Sequence, residues 1–201
     1  NLSMCVCDEQ HRFGVGQRSA LVAKGIIPDV LVMSATPIPR TVSLIFYGDL
    51  DITEIKDKPK NRLPVATFLV PERKYEGMLG FIRDTVKGGN QAFCVCPKIE
   101  EDEEGTLMSV TELFEELSAK LTGVRVGLLH GKMKDAEKAQ IMADFKAKTF
   151  DVLVSTTVVE VGIDVPNATV MVIYNAERFG LSQLHQLRGR VGRGADKSYC
   201  F

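Results

Sequence analysis

The 201-residue sequence has no tryptophan, aromatic residues make up only 7% of it, and its formal net charge is −1. Because neither sign of charge is in excess, no field of the whole chain attracts nucleic acid, and such binding must come from local basic patches. Hydrophobic residues at 45% and charged residues at 25% are typical of an ordinary soluble globular protein. The length suits one large domain, or one domain with a piece of another.

Long apolar runs are absent as well. The sequence contains no stretch of about 18 apolar residues and no charged amino terminus followed by an apolar segment. We therefore expect neither a membrane span nor a signal peptide, and we predict a cytoplasmic protein without a membrane partner.

Cysteine is present, but not in a metal-binding pattern. Cys5 with Cys7, and Cys94 with Cys96, form two Cys-x-Cys pairs inside apolar runs. In a strand this spacing places both thiols of a pair on one face. Zinc sites usually use Cys-x2–4-Cys pairs on loops. The pattern predicts packing in the core and disfavours a metal site.

The sequence also lacks the phosphate-binding loop Gly-x4-Gly-Lys-Ser/Thr. Gly131 and Lys132 form the nearest Gly-Lys pair, and Met133 follows them. The loop's glycines let backbone N–H groups surround phosphates, and its lysine reaches the terminal ones. The chain cannot hold a triphosphate in that way.

What the sequence does contain is an arginine-rich and glycine-rich stretch from Gln183 to Gly194. Arg188, Arg190 and Arg193 lie among three glycines, at positions 189, 192 and 194. Glycine permits tight turns and close approach of the backbone to a ligand. The planar guanidinium matches phosphate oxygens, and two arginines three residues apart can reach one triphosphate. The stretch favours polyphosphate binding, with a solvated basic helix end as the alternative.

Polar residues follow two apolar runs near the amino terminus. Asn1 to Cys7 is typical of a buried strand, and Asp8 and Glu9 come directly after it. In open parallel sheets ligands bind at the carboxyl ends of strands. There one carboxylate can hold magnesium and its neighbour can orient or deprotonate a water. A polar turn is the alternative for this pair.

The second apolar run, Val30 to Met33, leads into Ser34 through Arg40, which includes Pro37 and Pro39. Small hydroxyl residues held by two prolines predict a rigid loop with exposed donors, and a plain turn is again the alternative.

A change of pattern marks a domain boundary. From Lys56 to Pro64 apolar residues nearly vanish and prolines bracket the run, as in a linker. We place the boundary near Asn61, which gives domains at residues 1–60 and 61–201. After it, strand and helix patterns alternate, which predicts a parallel, doubly wound α/β sheet with helices on both faces. The predicted strands are 65–70, 91–96, 124–129, 151–155, 169–173 and 198–201, and the predicted helices are 74–86, 109–121, 135–146 and 181–187.

Candidate binding residues again lie at strand ends in the second domain. His130 and Gly131 close one strand, although a lone histidine can equally be structural. Ser155, Thr156 and Thr157 follow another strand and begin a helix, so their hydroxyls and amides can bind an anion such as a DNA phosphate. Helix capping is the alternative and is compatible with that role. The helix is predicted to end at Gly162, which presents Asp164 on a loop.

Together these stretches resemble superfamily 2 helicases, in which two RecA-like lobes close on ATP while tracking nucleic acid. Asp8 through His11 resembles motif II, and Ser34 through Thr36 resembles motif III. Ser155 through Pro166 resembles motif V, and Gln186 through Arg193 resembles motif VI. The resemblance implies a RecA-like C-terminal lobe of the P-loop NTPase kind, preceded by an incomplete piece of the first lobe.

The resemblance also implies a role for each matching residue, with ATP and Mg²⁺ as cofactors. Asp8 would hold magnesium, and Glu9 would activate the attacking water. Arg190 and Arg193 would act as arginine fingers from the second lobe. Gln186 would sense the γ-phosphate, and Gly162 and Asp164 would lie near the ribose. The residues expected to face DNA or couple it to the nucleotide are Gln10, His11, Ser34, Thr36, Arg40, His130, Gly131, Thr156 and Thr157.

The detailed wording of these motifs is most similar to bacterial branch-migrating DNA helicases, which remodel stalled forks and Holliday junctions in recombination and repair. The motor core of transcription-repair coupling factors is the alternative. Because the resemblance starts at motif II, we expect the chain to be a fragment. Its partners would be branched DNA, ATP, the rest of the first lobe and a wedge domain of the same protein. Alone, it is expected to be a catalytically silent binding module.

Overall fold

The computed structural model describes residues 2–8, 20, 23–25, 28–33, 51–55, 63–97, 109–156 and 164–201. The chain forms two compact units, which divide between Ile55 and Lys56. The division near Asn61 made from the sequence stays a prediction.

The first unit contains two parallel strands, β1 (Met4–Cys7) and β2 (Asp29–Val32). Cys5 and Cys7 are buried and their Sγ atoms lie 3.8 Å apart, whereas Met4 and Val6 are exposed. Both thiols thus share one face of the strand, as the period-two spacing predicted. The sequence also predicts a helix from Gln17 to Lys24, which lies mostly outside the described residues.

The second unit is built on a six-stranded parallel sheet with the order β3-β8-β7-β4-β6-β5. The elements in chain order are β3 (Ala66–Thr67), a 3-10 turn (Glu72–Lys74), α1 (Tyr75–Lys87), β4 (Gln91–Val95), α2 (Val110–Lys120), β5 (Val126–Leu129), α3 (Asp135–Lys146), β6 (Val152–Ser155), β7 (Ala168–Ile173), a second 3-10 turn (Ala176–Arg178), α4 (Leu181–Arg188) and β8 (Tyr199–Cys200).

Hydrophobic cores cover both faces of this sheet. Along β4, Phe93 packs on one side with residues of α3 and α4, such as Phe145 and Leu187. Its neighbour Cys94 packs on the other side with residues of α1 and α2, such as Ile82 and Leu117. The alternation explains why the central strands are apolar throughout. It confirms the predicted doubly wound sheet and the predicted core role of the second cysteine pair.

The outer strand β3 is shorter than predicted. The apolar run from Val65 to Val70 indicated a strand, but only Ala66 and Thr67 form one. Phe68 N still donates a hydrogen bond to Cys200 O, at 2.8 Å. The next residue, Leu69, is 95% exposed. The apolar sequence pattern thus extends beyond the strand, to a side chain that packs against little of the described chain.

Side-chain hydrogen bonds define the start of α2. Ser109 precedes α2, and its hydroxyl accepts a hydrogen bond from Glu112 N at 3.1 Å, while the Glu112 carboxylate accepts one from Ser109 N at 2.7 Å. This reciprocal capping box satisfies two N–H groups that a helix start leaves unpaired. It also holds the pKa of Glu112 below its ordinary value, chiefly through the backbone hydrogen bond.

We looked for membrane-spanning helices among the described residues. None has the length and apolar character needed to cross a bilayer.

Candidate functional site

The strand ends of the sheet in the second unit form two edges. Because all its strands are parallel, their carboxyl ends lie at one edge and their amino ends at the other. We call these the carboxyl edge and the amino edge. The predicted site residues that the structure describes in this unit divide between them.

The carboxyl edge brings together His130, Gly131 and Thr156. His130 directly follows β5 and Thr156 directly follows β6, and these strands pair with Leu129 beside Ser155. Thr156 N donates a hydrogen bond to Leu129 O, at 3.3 Å. His130 is half-buried, Gly131 is exposed and Thr156 is 7% exposed. These three positions thus lie at two neighbouring strand ends.

Ser155, the last residue of β6, was grouped with Thr156 and Thr157 as an anion-binding candidate. Its side chain is fully buried, and among the described residues its Oγ atom has no hydrogen-bond partner. A buried hydroxyl without a partner is uncommon.

The arginine-bearing segment Gly189–Gly194, here called the arginine loop, lies against the amino edge. A Cβ atom on Gly192 would lie 2.9 Å from Val65 Cγ2, and one on Gly194 would lie 2.8 Å from Pro166 O. Val65 precedes β3 and Pro166 precedes β7. Gly192 also has a φ of +73°, which non-glycine residues rarely adopt. The glycines therefore let the loop turn tightly against these strand starts.

Within this loop Arg193 contacts Asp164, another predicted site residue. Its Nη1 lies 3.4 Å from Asp164 Oδ1, and its Nε donates a hydrogen bond to Gly189 O at 3.2 Å. The segment after Asp164 is attached to the sheet, because Gln91 N donates to Asn167 O at 2.8 Å. Two residues that belong to different sequence motifs thus meet at the amino edge.

The other residues of the arginine motif have different surroundings. Arg190 follows α4, and its N–H donates to Leu187 O at 3.0 Å. Gln186 lies on α4 and is half-buried. Arg188 contacts His185, with Nη2 2.9 Å from Nδ1, and lines a cavity of about 580 Å³ that β3, β7, β8 and α4 border.

A tyrosine pair lies beside that cavity and was not predicted. Tyr174 follows β7, its hydroxyl lies 3.3 Å from that of Tyr75, and Tyr75 donates to Glu116 Oε1 at 3.0 Å. Burial raises the pKa of Tyr75 to about 12 and that of Tyr174 further still. Both phenols therefore stay protonated at neutral pH and act as structural donors that join α1, α2 and β7.

In the first unit, Asp8 directly follows β1 and is exposed. Met33 N donates to Cys7 O at 2.8 Å, which keeps the ends of β1 and β2 side by side. The predicted residues outside the described part of the chain are Glu9, Gln10, His11, Ser34, Thr36, Arg40, Thr157 and Gly162.

The described residues include donor types that occur in magnesium-nucleotide sites. Among them, no three His, Cys, Asp or Glu side chains lie close enough to hold a metal together. Magnesium on a nucleotide needs only one or two carboxylates in addition to phosphate oxygens. Asp8 has the right donor type for that ion, and the exposed guanidinium of Arg193 has the right type for phosphate.

Comparisons with known proteins identify the family and the fold. Residues 73–195 match the family described as helicase conserved C-terminal domain. The chain is 54% identical over 202 residues to ATP-dependent DNA helicase RecG of Thermotoga maritima, a match that covers 100% of this chain and 26% of the relative. A solved structure of RecG bound to a three-way DNA junction is 50% identical, with a TM-score of 0.77, and the match covers 100% of this chain and 26% of that one.

More distant structures share the fold alone. Dbp5 of S. cerevisiae, bound to RNA and ADP BeF3, is 16% identical with a TM-score of 0.68, over 100% of this chain and 53% of that one. The chain spans about a quarter of the length of the Thermotoga relative that it matches.

Proposed function

Because this chain belongs to the helicase conserved C-terminal domain family, we propose that it works as the second RecA-like lobe of an ATP-dependent DNA helicase that remodels branched DNA. The first unit would be the end of the first lobe. Relatives about half identical in sequence are named RecG, and one was solved on a three-way DNA junction. Branched DNA is therefore the proposed substrate, and recombination and repair in the bacterial cytoplasm are the proposed setting.

The placement of Arg193 carries the proposal. The arginine loop is attached to the amino edge through Gly192 and Gly194, and the Arg193 side chain is 34% exposed. On closure of the two lobes, Arg190 and Arg193 would contact the triphosphate and neutralise charge on the transferring group. Arginine fingers contribute about 10³- to 10⁵-fold to related phosphoryl transfers.

The remaining site residues keep the roles that the motif resemblance implies. Asp8 would bind Mg²⁺, which supplies charge neutralisation at the phosphates when present, and Glu9 would accept a proton from the attacking water. Gln186 would sense the γ-phosphate, with Gly162 and Asp164 near the ribose.

The carboxyl edge supports a separate role in nucleic-acid contact. His130 and Thr156 lie on neighbouring strand ends, and donors of this kind bind backbone phosphates without reading sequence. Gly131 and Thr157 would belong to the same surface. Gln10, His11, Ser34, Thr36 and Arg40 would contribute from the first unit. The wedge domain and the rest of the first lobe are the proposed partners within the protein.

Substituting Arg193 tests this function. In the full-length protein, Arg193→Ala should lower fork-stimulated ATP hydrolysis by about 10³-fold or more, because one arginine finger is lost. Binding to the same fork at fixed salt should not change, since Arg193 lies at the amino edge. Arg73→Ala, which alters another exposed arginine of the same unit, is the matched control for hydrolysis. Normal turnover in Arg193→Ala would refute the assignment.

The choice of DNA tests the substrate. Hydrolysis by the full-length protein should respond far more strongly to forked DNA than to linear duplex. An equal response to both would instead favour the motor of a transcription-repair coupling factor, and binding to RNA polymerase would then be measured.

A further inference from the structure

The ion pair at the amino edge gives Asp164 a role beyond proximity to a ribose. We propose that Asp164 is a positioning residue for Arg193, which it holds at the amino edge and releases to a polyphosphate anion. This inference rests on the proposed function and deepens it, because it concerns how the same site is prepared for its ligand.

The contacts of Arg193 fix one end of the guanidinium and leave the other available. Nε is occupied by Gly189 O and Nη1 by Asp164 Oδ1. In the part of the chain that the structure describes, Nη2 makes no hydrogen bond. A guanidinium has five N–H donors in a planar fork, so Arg193 can be oriented by Asp164 and still offer donors to an anion.

The backbone on both sides of the pair is restricted. Gly192 and Gly194 flank Arg193, and a side chain on either would collide with Val65 or with Pro166 O. Asp164 belongs to a segment that hydrogen-bonds to the start of β4 through Asn167. Movement of Arg193 between carboxylate and ligand therefore requires a change of side-chain rotamer and no rearrangement of the loop.

The ion pair between Arg193 and Asp164 is weak enough for a ligand to replace it. The two charged atoms lie 3.4 Å apart, and the side chains are 34% and 56% exposed. Charge-assisted hydrogen bonds are usually shorter, near 2.8 Å. Exposed ion pairs of this kind shift an equilibrium by only about 1.4- to 5-fold. Asp164 thus biases the position of Arg193, and a bidentate contact to phosphate oxygens can replace it.

Inorganic tripolyphosphate separates this role from a ribose contact, because it has no ribose. The 201-residue chain would be labelled with ¹⁵N-arginine, and the Nε–Hε signal of Arg193, identified by its loss in Arg193→Lys, followed during titration. Asp164→Asn should shift that signal before any ligand is added. It should also tighten tripolyphosphate binding by about two- to fivefold, the range expected for removal of an exposed competing charge.

The matched control is Asp196→Asn, which removes the same charge from an exposed position three residues after Arg193. It should leave the free Arg193 signal in place and change the affinity less than Asp164→Asn does. In an Arg193→Ala background, followed by calorimetry, Asp164→Asn should give no further gain. Equal behaviour of the two aspartate variants would overturn the inference.

Hydrolysis by the full-length protein provides the second readout. Asp164→Asn should lower kcat, because Arg193 is no longer oriented, and Asp164→Glu should restore part of it. A rise in the KM for ATP alone, with kcat and tripolyphosphate affinity unchanged, would show a ribose contact and overturn the inference. Failure of the proposed function looks different: tripolyphosphate would not move the Arg193 signal in any variant, and Arg193→Ala would hydrolyse ATP normally.

Discussion

At the scale of single residues, Asp151 shows how a polar side chain stabilises the sheet. It lies just before β6, and its Oδ2 accepts hydrogen bonds from Arg125 N at 2.9 Å and Arg125 Nε at 3.0 Å. Its Oδ1 accepts one from Arg125 Nη2 at 2.6 Å. The hydrogen bonds from Arg125 hold the pKa of the Asp151 carboxyl below its ordinary value. The starts of β5 and β6 are thereby joined outside the ladder.

We expect Asp151→Asn to destabilise the chain by about 1 kcal/mol at neutral pH, a modest figure because Arg125 is exposed and its charge is screened. The pKa of the Asp151 carboxyl is lower in the folded chain than in the unfolded chain, where it is about 3.9. The stabilisation is therefore present above the unfolded-state pKa and is lost as the pH falls through the folded-state pKa. Urea unfolding of both proteins near pH 7 and in acid measures this.

The control for that prediction is Asp135→Asn, since Asp135 is fully exposed and pairs with Lys138, three residues along α3. It should change the free energy of unfolding little at either pH. If the Asp151→Asn difference were as large in acid as at neutral pH, the ionised carboxylate would not be its source.

Sequence motifs selected candidate site residues, but they did not reveal the contacts between those residues. Arg193 and Asp164 were both selected from sequence motifs. Their ion pair joins residues 29 positions apart and depends on glycines that bring the arginine loop against Pro166. Such a contact has no local pattern. Burial of the Ser155 hydroxyl was not predictable either, because it depends on neighbouring strands rather than on the surrounding sequence.

At the scale of elements, β5 depends on a glycine that leaves room for an aromatic ring. A Cβ atom on Gly127 would lie 2.8 Å from Phe150 Cγ. Gly127 is buried, and Phe150 packs against the core that includes Phe145. Interiors are close-packed, so the ring has little freedom to move away from an added methyl group.

Gly127→Ala should therefore destabilise the chain by about 1–3 kcal/mol, the usual effect of overpacking. Gly80→Ala is the matched control, because α1 contains Gly80 and an added Cβ there meets nothing within 4 Å. That control should stabilise the chain by up to about 1 kcal/mol through helix propensity. Unfolding midpoints in urea would show the opposite signs, and a shift in the same direction for both would contradict the packing argument.

Helices were predicted more accurately than outer strands. α3 has the predicted bounds, Asp135–Lys146, and α1 differs from its prediction by one residue at each end. A strand end depends on a neighbouring strand. β8 is only Tyr199–Cys200, where Ser198–Phe201 was predicted, because its paired residues stop with those of β3. A pattern of apolar residues indicates which side chains can be buried, but it does not indicate where the pairing of two strands ends.

At the scale of the whole molecule, the two-sided sheet confirms the predicted parallel α/β, RecA-like fold of a helicase C-terminal lobe. The fold was predictable because repeated strand–helix patterns allow few topologies. The roles of Asp8 and Glu9 stay predictions.

The 201-residue chain itself should not hydrolyse ATP, because its sequence contains no phosphate-binding loop. We expect phosphate release with Mg²⁺ and forked DNA to equal that of the same chain carrying Arg193→Ala. DNA binding should be weak and should fall steeply with salt, as expected for phosphate contacts alone. Hydrolysis that disappears in the Arg193→Ala chain would show that another part of the sequence holds the triphosphate.

The pairing of β3 with β8 also fixes an order of events during protein synthesis. β3 is the first strand of its sheet to leave the ribosome, yet its partner in the described sheet is β8, with Ala66 beside Tyr199. The strands β7, β4, β6 and β5 pair with one another, so they and the helices can assemble before β3 is paired. Val65, against which Gly192 packs, reaches its place only when β3 does. A nascent chain paused before Tyr199 would thus have a core but would lack the contact between its arginine loop and Val65.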